Sequence, residues 1–196
     1  MRVLQYGFFG EDIAQREFLA AYLQCYETPD GSTLFDSVAY FGKQFGPMNN
    51  KVVDRRCADA CREAFVLGYP IVDWLFIGRD VDSFEFAYHE KRAAELRAKI
   101  PVQWHNRTVL MLPMQCAEHW LLYLAQYPSN EPLERKPNSQ AKDAVYADAA
   151  KTKETIRKEL LATLTVARVN WMAEVSVSFR AFHEQVQQFL TRLPVE

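Results

Sequence analysis

VDWLFIGRDVDSFE, residues Val72 to Glu85, holds a short apolar run, Trp74-Leu75-Phe76-Ile77, that stops at Gly78 and delivers Asp80 and Asp82 just beyond its end. A run of this length, rich in aromatic and branched side chains and bounded by turn signals, suits a buried strand better than a helix. In open α/β sheets, ligands sit at the carboxyl ends of strands. Two carboxylates two residues apart point the same way if the chain stays extended. Such a pair is costly unless a cation neutralises it. The hard, oxygen-seeking ions Mg²⁺ and Mn²⁺ are the expected partners. The plainer reading makes Asp80 and Asp82 a strand end and the cap of a helix opened by Ser83, Glu85 and Phe86. The rest of the chain has to decide between them.

Upstream of this stretch, RRCADACREAFVLGY reads as a helix that stops near Gly68 and Pro70. It places Cys57 and Cys61 on one face, most simply as two small buried apolar residues. Lys43 to Asn50, with a glycine, a proline and two asparagines, reads as a loop near a ligand. Ser37 to Phe41 is a second strand candidate, and Thr28 to Ser32, TPDGS, is a turn. Arg2 to Phe9 is the opening strand; it ends at Gly10 and is followed by Glu11, Asp12 and a helix. Ile13, Phe18, Leu19, Tyr22 and Leu23 form that helix's apolar face. Acids at a helix start suit its dipole, which gives Glu11 a structural reason to exist as well.

Downstream, FEFAYHEKRAAELRAKI is a charged helix, Pro101 to Arg107 a connector, and Thr108 to Met114 a fourth strand. That strand feeds QCAEHWLLYLAQY, an amphipathic helix carrying Glu118, His119 and Trp120. Beyond Tyr127 the polar segment PSNEPLERKPNSQAKD reads as a loop, and helical stretches follow at about Ala141 to Leu164 and Arg168 to Leu193. Strands alternating with helices imply an α/β fold: about four strands, mainly parallel, flanked by helices, with a C-terminal helical extension. Residues 1–127 form the core, and residues 128–196 are a polar loop and helices packing on it within a single domain.

At 196 residues and 49% apolar content the chain is long enough for one domain with a full core. A formal net charge of −2 gives no global basic field of the kind that announces a nucleic-acid binder, though a local basic face or a bound metal would suffice. The opening MRVLQYGFFGED turns acidic too early for a secretory signal, and no apolar run approaches membrane-spanning length. The four cysteines show no second pair at zinc-site spacing, so a reduced, cytoplasmic setting is expected.

Glu11 after the first strand, then Asp80-Val81-Asp82 after the third, resembles the layout of the TOPRIM superfamily, which includes topoisomerases, bacterial primases and overcoming-lysogenization-defect nucleases. Three further features are similar to the short TOPRIM-like proteins of bacterial anti-phage defence loci. These are Glu118 within AEHWLLYL, Lys136-Pro137 in the next loop, and VSVSFRAFHEQV, Val175 to Val186, in the closing helix. Together they span nearly the whole chain. There are departures: Ser83-Phe84-Glu85 follow the DxD where a glycine often stands, and Gln15 stands where those nucleases carry an acid four residues after the first Glu. One metal, two metals, or a site that has lost its chemistry all stay open at this point.

The resemblance implies that Glu11, Asp80 and Asp82 hold Mg²⁺ or Mn²⁺, with Glu11 in a partial general-base role. Such ions activate a water for in-line displacement at a phosphodiester. Glu118 is either a further carboxylate of the site or a solvated helix residue. Lys136 either approaches the scissile phosphate or is simply solvated. His89 reads as a surface residue, and His119 does not share a helix face with its neighbour Glu118. Trp120, Leu121 and Leu124 read as core. None of Tyr6, Tyr22, Tyr26 and Tyr40 signals a topoisomerase nucleophile. The implied activity is a nuclease acting on DNA or RNA, the toxin or effector of an anti-phage system with a separate ATPase partner; homo-oligomerisation is left open. The other class of reading is a catalytically inactive module that binds such an ATPase. A phosphatase or nucleotidyl transferase at the same ions is a third.

Overall fold

The computed structural model describes residues 2–38, 41, 45–46, 48–68 and 71–192. Four strands, β1 (Arg2–Gly10), β2 (Thr33–Ser37), β3 (Trp74–Gly78) and β4 (Thr108–Met111), form one all-parallel sheet in the order β2-β1-β3-β4. Helix α1 (Ile13–Gln24) links β1 to β2. Helix α2 (Asn50–Arg62), extended by a π-helical turn Glu63–Leu67, precedes β3. Helix α3 (Phe86–Lys99) leads to β4. Helix α4 (Glu118–Ala125) follows the sheet, then α5 (Asn138–Val145), α6 (Lys153–Leu161), α7 (Val166–Val175) and α8 (Val177–Leu190). The protein is thus α/β with a four-stranded parallel sheet between helices and a C-terminal helical stretch.

Alternation along each strand divides the core in two. Tyr6, Phe8, Trp74, Phe76, Val109 and Met111 face α1, α4 and the C-terminal helices. Phe9, Leu75, Ile77, Leu110 and Leu112 face α2, where Cys57 and Cys61 are fully buried, and Leu96 and Ile100 at the end of α3. Both sheet faces are covered, which is why β3 reads as an unbroken apolar run rather than an alternating one.

Several boundaries differ from the sequence reading. β2 begins at Thr33, not Ser37, because the Thr28–Ser32 turn closes directly into it: Arg2 N–H donates to the Ser32 carbonyl at 2.6 Å and Thr33 N–H to Thr28 Oγ1 at 2.8 Å. Part of the expected strand, residues 39–40, lies outside the described residues, as do Lys43, Gln44 and Pro47 of the expected loop, Pro70, and Leu193. The two expected C-terminal helical stretches are four helices, since Thr152, Thr165 and Ser176 each accept a bond from a backbone N–H and start a new one. Ile13 is 61% exposed, and Gln15 takes the inward position in its place. His89, read as a surface residue, is buried against Phe86 with rings stacked at 5.9 Å.

Two polar devices tie the C-terminal helices to the sheet. Gln185 of α8 meets the free edge of β4: Leu110 N–H donates to Gln185 Oε1 at 3.0 Å, and Gln185 Nε2 donates to the Leu110 carbonyl at 3.1 Å. An edge that would otherwise present unpaired groups is closed by a side-chain amide. Buried Glu134 sits at the start of α8, accepting from Ser176 Oγ at 2.8 Å, Val177 N–H at 2.9 Å, Ser178 N–H at 3.1 Å and Ser178 Oγ. The Ser-x-Ser of the closing helix therefore has a local structural task, because a helix N-terminus favours a carboxylate.

Candidate functional site

Past Gly78 the chain keeps its place beside the segment after β4. Arg79 N–H donates to the Met111 carbonyl, Val81 N–H to Pro113, Asp82 N–H to Gln115, and Gln115 N–H returns to Ser83, each at 3.1 Å. Both Asp82 (φ 58) and Gln115 (φ 61) adopt the left-handed conformation, which Asp tolerates better than most residues. The premise of an extended chain therefore fails at Asp82, and the two aspartates of the DxD part company. Neither caps α3, whose first residue is preceded by Glu85 with no side-chain cap.

Asp80 turns toward α1. Gln15 Nε2 donates to Asp80 Oδ1 at 2.6 Å, and Gly78 leaves room for that amide, since a Cβ there would collide with Gln15 Oε1. The Asp80 carboxyl is pushed up to about 8, first by desolvation, then by the charge of Asp12, with Glu118 and Glu11 adding to it and Gln15 opposing. Asp12 is the N-cap of α1, its Oδ1 accepting from Ala14 N–H at 2.7 Å. Burial and then the charge of Glu118 raise its carboxyl too, against the Ala14 bond. Glu118, in the first turn of α4, is only 8% exposed; its Oε1 lies 3.5 Å from the Tyr146 hydroxyl and its Oε2 is buried without a hydrogen-bond partner. Lys142 of α5, held protonated chiefly by Glu118, faces this niche, and Arg157, paired with Glu17, faces Asp12.

Glu11 and Asp82 lie on the other side. Asn50, at the start of α2, donates from Nδ2 to Asp82 Oδ2 at 3.0 Å, and its backbone N–H serves Glu11. Arg79 stands 3.9 Å from Asp82 Oδ2 while its Nε donates to Asp54 Oδ1 at 2.8 Å. Desolvation raises the Glu11 carboxyl; Asp82 and Asp12 add to this, while Asn50 and Arg79 pull it back. Asp82 itself is 59% exposed.

Of the five residues expected at the site, Asp80 and Glu118 face the niche beside Asp12, Glu11 and Asp82 lie on its other side with Asn50, and Lys136 is directed elsewhere. The Lys136 ammonium pairs with Glu131 at 3.2 Å, and its carbonyl accepts from Gln115 Nε2 and from His119 Nε2, the latter at 2.8 Å. His119 is fully buried and pins the loop after α4 rather than facing Glu118. Sequence reasoning missed Asp12, Lys142, Asn50 and Arg79. Asp12 carried a signal, an acid placed as N-cap before a periodic apolar helix; Lys142 carried none beyond its polar surroundings.

The chemistry of the donors suits a hard divalent cation: Asp12, Asp80 and Glu118 offer carboxylate oxygens, and Glu118 Oε2 is buried without a hydrogen-bond partner. Among the described residues, no three His, Cys, Asp or Glu side chains already stand around a single point. Side-chain rotation would have to bring them together. Among the described residues, too, no helix is long and apolar enough to cross a membrane. No known protein family, no curated protein and no solved structure matches the chain.

Proposed function

We propose that the protein is a Mg²⁺- or Mn²⁺-dependent nuclease that hydrolyses phosphodiester bonds of DNA or RNA. The observation that carries this reading is Asp80. It lies at the carboxyl edge of a parallel strand, where α/β sheets take their ligands. Its carboxyl is destabilised by desolvation and by three neighbouring acids. A structural aspartate gains nothing from such company; a cation-binding one needs it. A bound ion would activate water and stabilise charge on the phosphoryl oxygens. Gln15 fixes the orientation of Asp80 through its amide, and Asn50 with Arg79 engages Glu11 and Asp82 on the other side.

The resemblance to TOPRIM-like defence proteins supports the substrate class. It extends the proposal to an effector of an anti-phage system that works with an ATPase partner in the cytoplasm. Free cysteines, all four of them, accord with a reducing setting. The test is cleavage of plasmid DNA and of structured RNA in Mn²⁺, comparing wild type with Asp80→Asn and Glu11→Gln. Loss of cleavage by about a hundred-fold or more in both is expected; wild-type rates in both would sink the assignment.

A second reading, a catalytically inactive module that binds the ATPase, has one feature in its favour. A groove of about 620 Å³ runs between Phe84, Phe86, Met114, Tyr123, Val175 and Val177, with Phe84 57% exposed. Absence of cleavage in wild type, together with loss of the complex in Phe84→Ser, would favour it.

A further inference from the structure

We propose that the protein binds a phosphate group in a cavity at the amino end of β4, held by the guanidinium groups of Arg97 and Arg192. The cavity measures about 230 Å³, and His105, Asn106, Gln185 and Gln188 line it beside the two arginines. It lies at the edge of the sheet opposite Asp80. Thr108, the first residue of β4, belongs to its wall, whereas the candidate carboxylates follow the carboxyl ends of β1 and β3. Among the described residues, no Asp or Glu lines this cavity.

Arg97, in the last turn of α3, is the residue that calls for an anion. Its Nη1 donates to the Thr108 carbonyl at 2.7 Å and to the His105 carbonyl at 3.2 Å, and its Nη2 donates to Gln185 Oε1 at 2.5 Å. All three acceptors are neutral. Arg79, Arg92 and Arg157 each pair with an acid; among the described residues Arg97 pairs with none. Burial lowers the Arg97 pKa, opposed only by the Cys61 thiol. A desolvated cation without a counter-charge is costly, and a bound anion recovers that cost. The three bonds use three of the five guanidinium N–H groups, which leaves two for a ligand. Exposed Arg192, just past the end of α8, brings the second charge, and the amides of Asn106 and Gln188 bring further donors. Two guanidinium charges match a phosphate dianion, whose oxygens suit their paired N–H groups. Gln185 also bonds both backbone groups of Leu110, so the occupant sits where α8 is tied to β4.

The experiment is calorimetric titration of the full chain, in chelator and at fixed ionic strength, with inorganic phosphate and separately with a 5′-phosphorylated dinucleotide. Saturable phosphate binding, displaced by sulfate and accompanied by a rise in melting temperature, is expected. Equal affinity for the two probes upholds a site for the phosphate group alone. Tighter binding of the dinucleotide upholds it as a site for a nucleic-acid end. Arg192→Gln should weaken phosphate binding about ten-fold. Arg97→Lys keeps the charge but loses the fork, and should weaken it at least as much. Circular dichroism melts verify folding, and if Arg97→Lys does not fold, Arg192→Gln decides. Arg135→Gln, at an exposed position outside the cavity, should leave binding unchanged. No saturable binding of either probe at millimolar concentration overturns the site. Binding that Arg192→Gln leaves intact, or that Arg135→Gln weakens equally, overturns it as well. Each of these failures leaves the metal-dependent reading standing, because the titration excludes metal and the carboxylates take no part in it.

Discussion

At the scale of the residue, Asp80 makes stability depend on pH in a direction opposite to that of most carboxylates. Its folded pKa is raised to about 8, so the folded chain holds this proton more tightly than the unfolded chain does. The resulting contribution is complete below the ordinary carboxylate range and is lost as pH rises toward 8. In chelator-treated protein, Asp80→Asn should therefore gain on wild type between pH 5 and pH 8.5, by about 2–4 kcal/mol in chemical denaturation. Parallel pH profiles for the two proteins would show that Asp80 is not in a charged, desolvated niche. The position of Asp80 was legible, because an apolar run that ends in Gly and acids marks a strand's carboxyl end. The direction of Asp82 was not. A positive φ at a non-glycine residue leaves no pattern in one sequence, and it is set by the pairing of residues 79–83 with 111–115. In sequence Gln15 looks like a missing acid; its burial shows it as the neutral donor to Asp80.

At the scale of the element, the closing helix is held by two polar side chains whose partners are mostly backbone and serine groups. Glu134 gathers four donors at the start of α8, so Glu134→Gln should cost about 2–3 kcal/mol, the range for hydrogen bonds to a buried charge. Glu131→Gln, three residues away at a 63% exposed side chain paired with Lys136, should change stability by less than about 0.5 kcal/mol. Equal effects in urea denaturation would contradict the assigned role. Gln185→Leu keeps bulk but leaves both backbone groups of Leu110 unserved. It should cost about 1–3 kcal/mol and speed hydrogen exchange at the Leu110 amide. β1, β3, β4 and α1 to α4 were readable from apolar runs, turn signals and helical spacing, whereas β2 lies at Thr33–Ser37, ahead of where the sequence reading began it. The subdivision of the C-terminal helices was harder, since each break depends on a Ser or Thr whose side chain turns back to the backbone. The role of Glu134 is nonlocal, reaching across about forty residues to Ser176 and Ser178, and no spacing rule exposes such a contact.

At the scale of the whole molecule, the question is whether residues 128–192 decorate a core or complete it. One face of the sheet rests on α1 and α4, but the same cluster takes in Leu133, Ala141, Ile156, Val169, Met172, Phe179, Phe182 and Val186, all buried. Phe179 and Phe182 pack on Trp120 with ring centroids 5.3 and 5.5 Å apart, and Phe182 reaches Phe76 of the central strand at 6.4 Å. Phe189 lies on Trp74 at 3.9 Å. Removing the helices would expose this aromatic layer to water, and each large side chain so exposed forfeits about 1.5–3 kcal/mol. A few such losses exceed the whole stability of an ordinary domain, about 5–15 kcal/mol. The site would go with them, because Lys142 and Tyr146 reach Glu118 from α5 and its C-terminal end. A chain ending at Tyr127 is therefore expected to lack a cooperative unfolding transition and to aggregate, while Phe182→Ala in the full chain should remain folded but lose about 3–5 kcal/mol. A cooperative melt from the 1–127 fragment, with native-like near-ultraviolet dichroism, would make the C-terminal helices a separable addition. The glutamate, serine and glutamine contacts that bind those helices to the sheet would then hold an appendage in place rather than complete the core.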